Sequence, residues 1–533
     1  MKKLFALLLA ATMLLCTVPF VVSADTAEPS FTPVSSLADF YWVTGDGTTE
    51  SPYALTNALG GENNYKLTAD ITFGNETKVA LQRVVKNTET EEYEPMLDAT
   101  TQQPLTYEWT FADLARGMID GGFEGIFDGD GHSIIYTGNF KKESSGGFLF
   151  NGSFLGTLKN LTVGSKEQPT QVLLGKPSGG SNCGVIGSQT GYADPLPSLE
   201  NVVVYADLEV QGQGSRNAGF LFGKTLAGIS FNNVRCYGTL EIGQTKDNQT
   251  MGIGGMVGMH VCNAGDGAPI YFNNCYTDVD ITAPAMVEGS LKAKEGSSGV
   301  GGLVGVNNCK NADTEFYATN CVTVGDLPTI EGLTVGAGKL LGNVVSNADK
   351  TAEELTILTD CQKPIMNAVG ASIKIADGTL RFRVSVAVYN AYVDLYGADN
   401  VKVGVIYAEK ATAETLGANF KIDPLNNDIT NVVVAELDNG NIYADVAATA
   451  NSYGTEYTAL GYIQYTTDGT TWTTEYAEAS TTRSVSYVAT AALADVKDAA
   501  EGAYMYATAD GKYCFYTAEQ QTKLASYIVA SAS

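Results

Sequence analysis

Between about residue 120 and residue 361 the chain repeats itself, and that repeat constrains the fold more than anything else in it. A glycine, two or three apolar residues and a small residue recur as GGFLFN ending at Asn151, CGVIG at Gly187, AGFLFG at Gly223, GGMVG at Gly258, GGLVG at Gly305 and GKLLG at Gly342. The intervals are 36, 36, 35, 47 and 37 residues. A unit of this size cannot close a core of its own and has to stack on its neighbours.

A second block accompanies each repeat. An apolar or small residue stands two places before an asparagine in LKNL (Asn160), LENV (Asn201), FNNV (Asn233), FNNC (Asn274) and ATNC (Asn320), and before Asp360 in LTDC. Short alternating runs such as VVVYADLEV and GTLEI follow and read as strands. The distance between the two blocks varies, so loops absorb the length while strands keep register. These features predict a mainly all-β chain whose first domain is a right-handed parallel β-helix. Asn160, Asn201, Asn233, Asn274, Asn320 and Asp360 then form a structural ladder, because equivalent amides one coil apart can donate and accept along the axis. The residue after each turns from Leu161, Val202 and Val234 to Cys275, Cys321 and Cys361, a column of small hydrophobes in which disulfide geometry would be strained.

Ahead of the repeats stand YKLTADITF and FEGIFDGDGHSI, residues 65–73 and 123–134. The order LTADI, FEGIFDGDGHSI, then repeated GGLVG and NC units resembles the GLUG-motif β-helix proteins that Gram-positive gut bacteria export or display. The likeness covers roughly residues 40–361, with Asp130 where the family usually has Asn and a degenerate last repeat, GKLLG, that suits a capping coil. It implies an adhesin-like surface protein and brings no catalytic residues with it. Residues 77–119 interrupt the pattern with polar sequence and read as a hairpin or flap inserted into an early coil, a place where rigid solenoids carry recognition loops.

After Cys361 the glycine repeat stops and longer alternating strands begin, separated by Asp377-Gly378, Asn439-Gly440 and Asp468-Gly469. That pattern predicts an antiparallel β-sandwich over 362–533, with two short helices in RSVSYVATAALADVKDAA and TAEQQTKLASYIVASA. The unit resembles a C-terminal module of exported clostridial and ruminococcal proteins. Arg381, Arg383 and Arg483 are expected to face carboxylates there as structural pairs, with an anionic ligand as the alternative.

Lys2 and Lys3, an apolar run and Val22-Ser23-Ala24 match a secretory signal over residues 1–24, which leaves 25–361 for the β-helix and 362–533 for the sandwich. Without the signal, 59 acidic residues face 30 basic ones, a net charge of −29. Such a chain is unsuited to nucleic acid, whose phosphates need clustered Lys and Arg. No later segment has the length and apolarity of a membrane span, so insertion after signal cleavage is not expected. Eight cysteines remain, none in a C-x-x-C pair, and Cys262 with Cys309 is the best candidate for a bridge.

Parallel β-helices also host polysaccharide lyases and glycoside hydrolases, so an enzyme using carboxylates on one face is the rival reading. Asp128, Asp130 and His132 in DGDGH are the nearest approach to a catalytic set, although alternating Asp and Gly more often shape a corner. His260, the other histidine, is expected to be a solvated loop residue. Asp-Gly turns offer oxygen ligands for calcium, but the twelve-residue loop closed by Glu is missing around Asp128, so no metal or cofactor is assigned. Recognition remains: Trp42, Trp109, Tyr192 and Trp472 are the binding candidates, with Tyr41, Tyr271 and Tyr317 as further aromatics. The expected partner is a host or dietary glycan or glycoprotein, and a third reading has the sandwich dock another surface protein.

Overall fold

Four successive repeats each contribute one strand to each of four parallel stacks, and the repeats at either end contribute to fewer. The computed structural model of the chain describes residues 29–492 apart from short stretches such as 262–268, 310–313, 366–369 and 375–378, together with 505–507, 513–515 and 529–530. One repeat runs Arg216–Gly219, Phe222–Thr225, Ile229–Asn232 and Arg235–Gln244; the next runs Met251–Gly254, Val257–Val261, Ile270–Asn273 and Tyr276–Thr282. Every strand pairs in parallel with its equivalent in the next repeat, as in Ile229↔Ile270 and Arg235↔Tyr276. The stack that holds Ile229–Asn232 has nine strands and begins at Thr32–Val34 and Tyr65–Leu67, well before the first recognisable glycine repeat.

The two sequence blocks lie at the corners between stacks. The glycine block turns the chain from the stack of Arg216–Gly219 into that of Phe222–Thr225, where coils come too close for a side chain. A Cβ on Gly223 would stand 2.2 Å from the Cys183 nitrogen, and one on Gly305 2.2 Å from the Ile253 nitrogen. Glycine avoids that clash at Gly223, Gly258, Gly305 and Gly342, and the small Ser188 takes the same register position one coil earlier. The asparagine block turns the stack of Ile229–Asn232 into that of Arg235–Gln244, and Asn160, Asn201, Asn233, Asn274, Asn320 and Asp360 all take φ between +52° and +55°. Asn and Asp tolerate that left-handed region better than other side chains.

Inside the stack, like residues lie over like. Phe231 and Phe272 stack with ring centroids 4.6 Å apart and an interplanar angle of 1°, and Phe316, in register with Ile270, meets Phe272 at 5.5 Å. Cys275 and Cys321 are buried beneath the asparagine corner and Cys361 is half-buried; they are free thiols whose S–H groups donate to the carbonyls of Asn273, Thr319 and Ala318. Cys262 lies outside the described residues, so its pairing with Cys309 is not described. The signal segment also lies outside them.

Residues 77–119 contain a hairpin: Lys78–Gln82 runs antiparallel to Thr106–Thr110, and Val84–Lys86 to Tyr93–Pro95. Beyond the repeats, a pair of antiparallel sheets encloses a second core around Phe382, Val405 and Tyr462. Two helices that the alternation did not announce, Tyr389–Tyr396 and Lys410–Leu416, flank them. Of the two expected helices, the first is helical over Val485–Ala492. The expected second one is corrected at its end, where Val529–Ala530 is a strand paired with Gly370–Ala371. Among the described residues no helix is long and apolar enough to cross a membrane.

The second core includes residues of the repeats. Tyr205, Tyr237 and Tyr276 point outward from the stack of Arg235–Gln244, with Tyr205 and Tyr237 stacked at 4.8 Å, and all three are buried against the C-terminal domain. Arg235 forms an ion pair with Asp394 of the helix Tyr389–Tyr396, and the Tyr237 hydroxyl donates to the same carboxylate at 3.0 Å.

Candidate binding site

The N-terminal end of the stack carries a cleft of about 590 Å³, whose walls come from three separate segments. The first is Thr32–Trp42. Alternation along the strand Tyr41–Thr44 buries Tyr41 and Val43 and turns Trp42 outward, half-buried. One turn earlier, Asp39 Oδ2 accepts from the backbone N–H groups of Ser35 and Ser36, each at 2.8 Å, and from both hydroxyls. These bonds fix the carboxylate at the cleft wall. Asn63 and Tyr65 supply the second wall, with the Tyr65 hydroxyl donating to the Gly60 carbonyl at 3.3 Å.

The hairpin supplies the third wall through Ala80, Gln82, Pro104 and Thr106. Tyr93 near its tip meets the Trp42 ring edge-on, with centroids 5.8 Å apart. Cleft size, one aromatic face and a few side-chain amide, hydroxyl and carboxylate groups suit a ligand with an apolar face and polar edges.

Of the four aromatic candidates only Trp42 lines this cleft. Trp109 sits on the hairpin opposite Val79 and packs against Tyr107 at 6.2 Å. Tyr192 is 51% exposed and lies elsewhere, and Trp472 has the Lys402 ammonium 3.9 Å above its ring. Tyr271 and Tyr317 stack on each other at 5.2 Å. Asp39, Asn63 and Gln82 escaped sequence reasoning. The Ser-Ser-Leu-Ala-Asp turn around Asp39 was the one local signal that could have marked it.

Asp128, Asp130 and His132 are each engaged separately. Asp128 is buried; it accepts from the Asn160 amide (3.0 Å) and the Asp130 N–H (3.0 Å), and Lys159 stands 3.3 Å away. Burial pushes its carboxyl up, but the Asn160 amide, the Asp130 N–H and the Lys159 ammonium together outweigh burial and hold it below the usual range. Asp130 pairs with Lys66 at 3.0 Å, and His132 Nδ1 lies 3.4 Å from Asp70. Asp128 thus ends the asparagine ladder as its acceptor.

Above it, Asn201 Nδ2 donates to Asn160 Oδ1 (3.1 Å) and Asn233 Nδ2 to Asn201 Oδ1 (2.8 Å); farther along, Asn320 Nδ2 donates to Asn274 Oδ1 (3.1 Å). Asp360 holds the same corner conformation with a carboxylate that has no N–H to donate. His260 is corrected: it is fully buried, with Nδ1 against the Thr225 hydroxyl, because its strand Val257–Val261 lies between neighbouring coils and is buried along its whole length. Arg381 makes a two-pronged contact with Asp445, at 2.6 and 2.9 Å. Arg483 lies 5.2 Å over the Tyr487 ring and donates to the Thr482 carbonyl. No group of three or more His, Cys, Asp or Glu side chains with metal-binding geometry occurs among the described residues.

Comparison with protein-family models, with curated proteins and with solved structures returned no match.

Proposed function

We propose that this is an exported, adhesin-like and non-catalytic protein that binds host or dietary glycans or glycoproteins through the Trp42 cleft. In this reading residues 25–361 are a right-handed parallel β-helix of the GLUG-motif kind and 362–533 a β-sandwich. Parallel pairing of successive strands supports the right-handed choice, since crossovers between parallel strands of one sheet are almost always right-handed. Export follows from the N-terminal sequence, and the resemblance supplies the surface role.

The observation that carries the binding assignment is the cleft itself, in which Trp42 faces a hairpin that the repeat does not need for its own stacking. Asp128, Asp130 and His132 give a hydrolase or lyase reading no support, because their side chains face different partners, Asn160, Lys66 and Asp70. A scaffold reading has to reckon with the helix Tyr389–Tyr396 already packing on the chain's own repeats.

A glycan array probed with residues 25–533, alongside Trp42→Ala, tests the reading. A set of glycans bound by the wild type and lost on replacement of Trp42 is expected. Binding no higher than background, or release of reducing ends or unsaturated products from pectic or mucin polysaccharides, would overturn it.

A further inference from the structure

We propose that the seam between the repeats and the C-terminal domain is a second binding site, for a neutral, hydroxyl-rich ligand such as the terminal sugar of a glycan. The seam encloses a cavity of about 430 Å³, within the range of small-molecule sites, which favour domain junctions. Asn233, Arg235 and Asn274 line one side, and Val386, Tyr389 and Asn390 the other. The site therefore exists only while the two domains are docked.

The asparagine ladder is interrupted at this cavity. Asn160, Asn201, Asn233 and Asn320 each donate to the Asp or Asn one coil below, but Asn233 Oδ1 accepts instead from Arg235 Nη1 and Asn390 Nδ2, each at 2.9 Å. Asn274 keeps its bond from Asn320 on the carbonyl side. Its own N–H, displaced from the ladder, is the donor left for a ligand.

Charge defines the class. Among the described residues of the lining Arg235 is the one that carries a charge, and its guanidinium is committed to Asp394 and to the Asn233 side chain. The wall thus offers neutral amides on one side and the apolar surface of Val386 and Tyr389 on the other. A pyranose presents the matching pair, polar edges and a C–H face. A carboxylate or phosphate would find no unpaired cation among these residues. The site shares no residue with the Trp42 cleft.

Saturation-transfer NMR on residues 25–533 with glucose, galactose, N-acetylglucosamine, N-acetylgalactosamine and glucuronate tests this. At least one neutral sugar is expected to receive saturation, with affinity falling about ten-fold in both Asn390→Ala and Tyr389→Ala. Near-UV circular dichroism identifies a variant that has lost its packing, and the other variant then carries the comparison. No transfer to any neutral sugar, transfer to glucuronate alone, or affinity unchanged in a folded variant would each overturn the site. A sugar lost in Trp42→Ala and retained in both seam variants belongs to the N-terminal cleft and counts against the seam.

Discussion

At the scale of single residues, the corner asparagines do two things that substitution can separate. Asn201→Gly keeps the left-handed backbone and removes the ladder amide, whereas Asn201→Ala also strains the backbone. The glycine variant should be destabilised by about 1 kcal/mol and the alanine variant by about 1–2 kcal/mol more, measured by denaturant unfolding. Asp128 adds a pH dependence with a definite sign. Its folded pKa lies below the unfolded one, so its contribution is present above the unfolded value of about 4 and is lost as pH falls through the folded value. Unfolding followed from pH 6 down to pH 2 should show a steeper acid loss in the wild type than in Asp128→Asn. The ladder could be read from the sequence because its residue type recurs at one point of every repeat. The burial of His260 could not, since one histidine among variable residues carries no period.

At the scale of elements, the cleft depends on a hairpin whose tip brings Tyr93 against Trp42. Replacing residues 86–94 with Asn-Gly removes Tyr93 and its edge contact with Trp42 while leaving the pairing of Lys78–Gln82 with Thr106–Thr110 in place. Glycan affinity should fall about three- to ten-fold, as expected for loss of one aromatic contact, with the unfolding midpoint unchanged because the removed residues are mostly exposed. The sequence showed an excursion at 77–119 and an aromatic at Trp42 as separate facts. Their meeting depends on where the first coils turn, and those coils, Thr32–Val34 and Tyr65–Leu67, lack the glycine block that made the later ones recognisable.

At the scale of the whole molecule, the parallel stacks were legible and the seam was not, because Arg235 and Asp394 are 159 residues apart and neither belongs to a motif. Asp394→Ala leaves a guanidinium in the seam without its carboxylate and should weaken docking by about 3–5 kcal/mol, whereas the double variant Arg235→Met, Asp394→Leu should recover much of that loss. Limited proteolysis between the two domains reads the difference. Stacking itself is tested most directly by a double-mutant cycle on Asn160 and Asn201, which are 41 residues apart in sequence and 3.1 Å apart across one rung. With both positions changed to glycine so that the corner backbone is kept, a coupling of about 0.5–1.5 kcal/mol is expected. Strictly additive losses would contradict it.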